Sequence, residues 1–167
     1  IRYENERQTR IKFINSNYIN MRTGKTVGCG LGKEIPAPFV GLRGPKRKDI
    51  LIDTQTSYAI PLAFDIVNDS IRPKFINNFL NSISRKSIGD DGKEYPEYSL
   101  MTGFIGTAWI SIALSKIGNT DFAYKMLLNK NFPSWLYPVE QGATTIWERL
   151  NACTKDNGFG GNNHMNS

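Results

Sequence analysis

The sequence predicts an all-α protein in which buried inner helices alternate with amphipathic outer helices, as in part of a double-walled α/α barrel. Segments that are apolar on nearly every face alternate along the chain with segments that are apolar on one face only. No convincing strand pattern lies between them. A plain bundle would make every helix one-faced, and a helical solenoid would show a fixed repeat, which this sequence lacks.

The N-terminal part is predicted to hold a surface helix and then a long irregular loop. Over residues 1–20, apolar residues recur among many charges with a loose helical period. Residues 27–50 contain five glycines and three prolines, which exclude a continuous helix. Within them, residues 28–33 lack the glycine spacing of a phosphate-binding loop. The segment suggests a substrate-side lid or an insertion, with a brief strand pairing at residues 50–52.

Two inner helices, each followed by an outer helix, are predicted next. Residues 53–66 form an apolar segment in which Pro61 removes one backbone hydrogen bond. Residues 71–83 carry apolar side chains at offsets of three and four, as an outer helix does. After a turn-rich loop at 89–96, an apolar helix is predicted over 102–117 and an amphipathic one over 120–129.

A third inner helix is predicted to begin at Thr145. The Thr145 hydroxyl is placed to cap it, and Glu148 is placed as the carboxylate of a capping box. The positive end of the helix dipole would keep Glu148 ionised, as a base requires. Thr-x-x-Glu is also a common helix start, so a purely structural role stays open. Residues 151–167 are predicted to form a loop.

Polar residues open all three predicted inner helices, at 53–56, 102–107 and 144–148. Because the inner helices of such a barrel run parallel, their starts should gather at one face. We expect a functional site there, with Trp135, Tyr137 and Trp147 close to Glu148. Flat apolar rings beside a carboxylate are typical of carbohydrate sites.

Composition argues against several other partners. The net charge is +6, but the dense basic run at 43–48 is not interleaved with aromatic residues, so we predict no nucleic-acid partner. No apolar run is long enough to cross a bilayer, and no membrane partner is predicted. Two cysteines stand far apart, at Cys29 and Cys153, without a metal-ligand pattern. We predict no metal and no cofactor.

Four motifs follow one another over residues 53–167. They are Asp53-Thr54-Gln55-Thr56-Ser57-Tyr58-Ala59, Thr102-Gly103-Phe104-Ile105-Gly106-Thr107, Gly118-Asn119-Thr120-Asp121-Phe122-Ala123-Tyr124, and Pro133-Ser134-Trp135 with Gly142-Ala143-Thr144-Thr145-Ile146-Trp147-Glu148-Arg149. In this order they resemble motifs of the bacterial α-L-rhamnosidases, glycoside hydrolase family 78. The resemblance fades ahead of Asp53.

The resemblance implies a six-hairpin α/α toroid, of which the chain would supply about two and a half hairpins. It also implies hydrolysis of terminal α-L-rhamnose from plant glycosides or polysaccharides with inversion, by an acid and a base. Glu148 matches the signature glutamate and is carried over as the general base. Trp147 is carried over as a wall of the site, and Trp135 and Tyr137 either stack on the sugar or pack internally.

Two parts of the family pattern have no match here. The general acid of the family lies in an acidic segment near Trp-Thr-Gly-Asp, and nothing in this sequence matches it. The acidic residues of the 89–97 loop are instead predicted to be solvated: Asp90, Asp91, Glu94 and Glu97. A family histidine follows Met-Asn-Ser, so His164, which precedes Met165, does not match it.

These gaps predict that residues 1–167 are a fragment of one glycosidase catalytic domain. The expected partners are a rhamnose-containing carbohydrate and the remainder of the domain. Alone, the chain is expected to expose apolar flanks, to be poorly stable or to associate, and to be inactive. Two alternatives stay open: a six-hairpin enzyme acting on another sugar, and a non-catalytic helical module that binds sugar or protein.

Overall fold

The computed structural model describes residues 2–29, 48–89, 92–147, 150, 153–154 and 158–159. Six helices lie in these residues: α1 (Arg2–Tyr18), α2 (Gln55–Ala63), α3 (Arg72–Ser84), α4 (Gly103–Lys116), α5 (Thr120–Leu128) and α6 (Leu136–Glu140). The strands are β1 (Val27–Cys29), β2 (Lys48–Leu51), β3 (Ser87–Ile88), β4 (Glu94–Tyr95), β5 (Cys153–Thr154) and β6 (Gly158–Phe159). The all-α prediction with alternating inner and outer helices is confirmed.

Helix α1 is the predicted surface helix, and one buried amide holds it to the rest of the chain. Asn15 Nδ2 donates to the carbonyl of Ile66 at 2.7 Å, and its Oδ1 accepts from the Asn68 N–H at 2.9 Å. Both partners lie in the connection between α2 and α3. The amide therefore fixes α1 against that connection, as satisfied buried polar groups do.

Helices α2 and α4 are the inner pair, and they run parallel. Near their starts, Thr56 Oγ1 donates to the carbonyl of Thr102 at 2.7 Å. At their other ends, Lys116 Nζ donates to the carbonyl of Ala63 at 2.7 Å. Most of α2 is buried, as predicted for an inner helix. It ends at Ala63, before the predicted end, because Asp65 adopts a left-handed φ of 52° that closes its last turn.

Helices α3 and α5 are outer helices, each buried along one face. Phe75, Phe79 and Ile83 of α3 are fully buried in the core, where the rings of Tyr58 of α2 and Phe75 meet edge to face at 5.0 Å. Met126 is the buried residue of α5. These helices cover the inner pair on the outside, so one contiguous apolar core joins α2, α3, α4 and α5.

The described residues also contain three antiparallel ribbons, each of two short strands. β1 pairs with β2 through Val27 and Leu51, so the expected brief pairing near residue 50 is confirmed. Residues 30–47 of the long loop lie outside the described residues. In the second ribbon, β3 lies directly before the predicted 89–96 loop and β4 lies within it, and the third ribbon, β5 with β6, lies in the predicted 151–167 loop.

The prediction of a third inner helix from Thr145 is wrong for the residues that the structure describes. Thr144 and Thr145 form a bend, and Ile146 and Trp147 have no regular secondary structure. Three successive β-branched residues disfavour a helix here, and Ile146 is mostly exposed, so packing does not compensate. The short helix α6 lies just ahead instead. It ends at Glu140, and Gly142, two residues further on, has a φ of 82°.

Candidate active site

The starts of α2 and α4 lie side by side, as predicted for two of the three inner-helix starts. Thr54 caps α2 in a capping box, in which its side chain accepts from the Ser57 N–H and the Ser57 side chain accepts from the Thr54 N–H. The bond from Thr56 to the Thr102 carbonyl places the start of α4 beside it. A chain of hydroxyls continues from there, because Thr102 Oγ1 and Thr107 Oγ1 lie 2.6 Å apart.

Gly106 explains how closely these two helices approach. A Cβ placed on Gly106 would overlap Thr56 Oγ1 and would lie 2.9 Å from the Cβ of Thr102. Any larger residue would therefore force α2 and α4 apart. The second glycine of the Thr-Gly-Phe-x-Gly-Thr motif is required by helix packing at the mouth of the inner pair.

Asp53 anchors this face by binding cationic side chains from two other parts of the chain. Its carboxylate Oδ2 accepts from Lys25 Nζ at 3.2 Å and from Arg85 Nη1 at 2.9 Å, and its side chain is 11% exposed. Its other oxygen, Oδ1, accepts from the Tyr58 hydroxyl. Arg85 also donates to the Asp53 carbonyl at 2.7 Å. Asp53 has a left-handed φ of 49°, which aspartate tolerates better than most residues.

The Asp53 carboxyl is held in its ionised form. Burial acts to raise its pKa, but hydrogen bonds from Tyr58, Arg85 and Lys25 outweigh burial and lower the pKa below its ordinary value. Burial and the bond to Asp53 raise the pKa of Tyr58, so the phenol keeps its proton. Asp53 is therefore a structural anion and has no proton to donate near neutral pH.

The sequence singled out Asp53, but not its partners. Lys25 precedes β1 and Arg85 follows α3, and they lie 28 and 32 residues from Asp53 along the chain. Gln55, the third residue of the first motif, is 3% exposed and hydrogen-bonds to the segment that leads into α4. The sequence signal that could have identified Gln55 is a glutamine inside a motif that opens a helix predicted to be buried, since a buried amide needs hydrogen-bond partners.

Two of the aromatic residues proposed for the site pack on each other. Tyr137 is 8% exposed and Trp147 is 6% exposed, and both belong to one small cluster with Phe132, Ala143 and Cys153. The rings of Tyr137 and Phe132 meet edge to face at 5.2 Å. Trp135 is half-buried and packs against the main core. The structure therefore brings Tyr137 and Trp147 together, while Trp135 belongs to the neighbouring core.

The predicted catalytic base lies outside the described residues. Glu148 and Arg149 follow directly on Trp147, so the buried Trp147 gives the nearest described position. The predicted helix start at Thr145 does not form. A helix dipole therefore no longer supports the expectation that Glu148 is ionised. Of the acidic loop residues, Glu94 and Glu97 are exposed, as predicted, and Glu94 pairs with Lys86 at 2.8 Å. Asp90 and Asp91 lie outside the described residues.

Within the described part of the chain, no group of three or more histidine, cysteine, aspartate or glutamate side chains is arranged to hold a metal ion. No helix described here has the length and apolar character needed to cross a membrane.

Comparison with known proteins identifies relatives of one kind. An α-L-rhamnosidase from Formosa agariphila is 40% identical over 114 residues, which cover 68% of this chain and 11% of that protein. An α-L-rhamnosidase from Streptomyces avermitilis is 36% identical over 107 residues, covering 64% of this chain and 9% of that protein. The chain thus spans about a tenth of the length of the curated relatives that it matches.

Solved structures of similar fold belong to the same class. The crystal structure of the Streptomyces avermitilis α-L-rhamnosidase complexed with L-rhamnose matches 65% of this chain and 10% of that chain, with a TM-score of 0.54 and 35% identity. The native enzyme from Aspergillus terreus matches 90% of this chain and 14% of that chain, with a TM-score of 0.61 and 25% identity.

The family model of the bacterial alpha-L-rhamnosidase 6 hairpin glycosidase domain matches residues 1–167. The alternation of inner and outer helices and the gathered helix starts agree with that description. The chain therefore belongs to the six-hairpin glycosidase domain family of the bacterial α-L-rhamnosidases.

Proposed function

We propose that this chain forms part of the catalytic domain of an inverting α-L-rhamnosidase that removes terminal rhamnose from plant glycosides or polysaccharides. The observation that carries the proposal is the family match over the whole chain. The rhamnose complex of the Streptomyces avermitilis relative supports the choice of sugar. The gathered starts of α2 and α4 support the location of the site, since loops and helix starts at one end of a barrel can reach a common ligand.

In this proposal Glu148 activates water as the general base. Inversion needs a protonated carboxylic acid at the leaving oxygen and an ionised carboxylate about 6.5–9.5 Å away that takes a proton from water. Glu148 is assigned the second role because it matches the glutamate of the Ala-Thr-Thr-Ile-Trp-Glu signature. A positioned general base contributes about 10²–10⁴-fold to the rate.

The described carboxylates are poor candidates for the general acid. Asp53 lies at the helix starts but is held ionised by Lys25 and Arg85, so it cannot protonate a leaving group. Glu94 and Glu97 lie in solvent. The acid is therefore proposed to come from another part of a complete six-hairpin domain, and the 167-residue chain alone is expected to be inactive.

The aromatic residues are assigned to the wall of the sugar site. Trp147 is proposed to line the site directly ahead of Glu148, with Tyr137 packed behind or beside it. Trp135, which is half-buried, is proposed to stack on the sugar or its methyl group. Flat aromatic rings suit this task because the faces of a sugar ring that carry C–H groups are largely apolar.

Product stereochemistry tests the proposed reaction. The complete gene product that contains these residues is incubated with p-nitrophenyl α-L-rhamnoside and followed by proton NMR. Inversion predicts that β-L-rhamnose forms first and then mutarotates. Initial formation of the α anomer would contradict inversion, and release of a different sugar from a panel of aryl glycosides would favour another six-hairpin enzyme. The 167-residue chain, assayed in parallel, is expected to release no nitrophenol.

A further inference from the structure

The side-chain amide of Gln55 connects the start of α2 to the segment that leads into α4. Its Nε2 donates to the carbonyl of Ser99 at 2.9 Å and, more weakly, to that of Ser82 at 3.4 Å. Its Oε1 accepts from the N–H of Met101 at 3.0 Å. The amide is buried, so these backbone partners replace water for both of its polar atoms.

The segment that Gln55 holds also supports the Pro133–Tyr137 loop, which comprises residues 133–135 and the first two residues of α6. The N–H of Leu100, between the two residues bound by Gln55, donates to the carbonyl of Pro133 at 2.7 Å. Within the loop, Ser134 is fully buried and its Oγ accepts from the Tyr137 N–H at 3.1 Å. Gln55 is thus connected to the loop that carries Trp135 and Tyr137 through its hydrogen bonds to Ser99 and Met101 and the hydrogen bond that Leu100, between them, makes to Pro133.

We propose that Gln55 is a positioning residue that sets the location of the Pro133–Tyr137 loop relative to the starts of the inner helices. Through that loop it places Trp135 and Tyr137 at the mouth of the ring. The proposal that Gln55 positions the loop rests on the hydrogen bonds alone. The consequence for sugar binding rests on the proposed function.

A carboxylic acid is the natural probe of this role. When protonated, the carboxyl introduced by Gln55→Glu has one O–H donor and one carbonyl acceptor, which match the bonds to Ser99 and Met101. When ionised, it has no donor and faces the Ser99 carbonyl with a negative charge. Burial raises the pKa of an introduced carboxyl, so protonation spans an accessible pH range. The charged residue nearest in sequence is Asp53, whose pKa is lowered by its hydrogen bonds despite burial, so its carboxyl stays ionised over this range; that carboxylate is bound by Arg85.

The measurement uses the complete gene product labelled with 5-fluorotryptophan, and the resonances followed are those of Trp109, Trp135 and Trp147. Fluorine NMR spectra are recorded at about pH 4.5 and about pH 8, on either side of the expected protonation of the introduced carboxyl. Resonances are assigned by Trp→Phe substitution. Hydrogen exchange at the Met101 amide is measured in the same samples.

Gln55→Leu is expected to shift the Trp135 resonance at both pH values and to reduce protection of the Met101 amide by about tenfold or more. Gln55→Glu is expected to give the wild-type Trp135 resonance at the lower pH and the Gln55→Leu position at the higher pH. If Gln55→Leu does not fold, the pH-dependent rescue in Gln55→Glu decides alone.

The matched control is Asn15→Leu, which removes another buried amide that joins distant segments, at the opposite end of α2. It is expected to destabilise the chain without shifting Trp135. If Asn15→Leu shifts the Trp135 resonance as far as Gln55→Leu does, the positioning role is overturned. A Gln55→Glu spectrum that is the same at both pH values would overturn it as well. Failure of the complete gene product to hydrolyse rhamnosides would instead overturn the proposed function and leave this result unaffected.

Discussion

Thr56 Oγ1 donates a 2.7 Å hydrogen bond to the backbone carbonyl of Thr102. This bond joins the first turn of α2 to the residue that caps α4, so the two inner helices begin side by side. Because Lys116 joins their other ends through Ala63, the helices are held parallel along their length. A face built from helix starts is the geometric basis of the site proposed here.

Gly106→Ala is predicted to destabilise the chain. Alanine in a helix interior normally gains about 1 kcal/mol over glycine, but the added Cβ would overlap Thr56 Oγ1. Overpacking costs about 1–3 kcal/mol, so a net loss is expected in urea unfolding. In a double-mutant cycle, Thr56→Ala should cost less in the Gly106→Ala background than alone. Equal or greater stability of Gly106→Ala would mean that the helices do not approach this closely.

Asp53→Asn is predicted to reduce stability at neutral pH by about 2 kcal/mol, since charge-assisted bonds from Arg85 and Lys25 are lost. Asparagine suits the left-handed backbone, so the comparison isolates the charge. The folded-state pKa of Asp53 lies below the unfolded value of 3.8, so its contribution is present above that pH and is lost as pH falls through the folded pKa.

The difference in unfolding free energy between wild type and Asp53→Asn should therefore be constant above about pH 5 and shrink below it. Asp69→Asn, at an exposed position in the connection before α3, is the control and should change little. A difference that grows on acidification would contradict the ion-pair account of Asp53.

Ser99→Ala is predicted to leave stability unchanged or to raise it by about 1 kcal/mol. The Ser99 hydroxyl is buried and has no hydrogen-bond partner among the described residues. Its backbone carbonyl, which Gln55 binds, is unaffected by the substitution. Thermal unfolding of the two proteins checks this, and a loss of more than about 1 kcal/mol would show that the hydroxyl has a partner.

Ile112→Lys is predicted to keep the fold and to reduce association. Ile105, Ala108 and Ile112 form an exposed stripe on α4, with Ile105 67% and Ile112 45% exposed. Such an apolar stripe favours contact with other surfaces. Sedimentation over a concentration series should show less association for Ile112→Lys than for wild type. The control is Ile110→Lys, at a position 1% exposed, which should unfold the chain. If Ile112→Lys unfolded the chain as Ile110→Lys does, the stripe would be buried in the folded chain and not exposed.

The helices were predictable because their signals are local and repeated. The apolar surface of α2 and the one-sided pattern of α3 follow directly from residue spacing. Gly118, just past α4, has a φ of 74° and marks its end, as glycine does at many helix ends. The prediction of a third inner helix failed because a capping pattern at Thr145 is only a local signal, and Thr144, Thr145 and Ile146 are exposed, so they bury too little surface to hold a helix.

The site was predictable only in part, for a related reason. Parallel inner helices place their starts together, which brought Asp53 and Thr102 to one face from sequence alone. The contacts that build that face join distant residues, such as Arg85 to Asp53 and Gln55 to Met101. Two-residue strands such as β3 and β4 are likewise too short to give a periodic pattern.

The assignment of Glu148 as the base is tested by the rate of rhamnoside hydrolysis by the complete gene product carrying Glu148→Gln, with Glu97→Gln as the matched control on an exposed residue. We expect Glu148→Gln to lower kcat by about 10²–10⁴-fold and Glu97→Gln to leave it unchanged. Rhamnose binding, measured by calorimetry, should survive in both. Wild-type kcat in Glu148→Gln would contradict the assignment of Glu148 as the base.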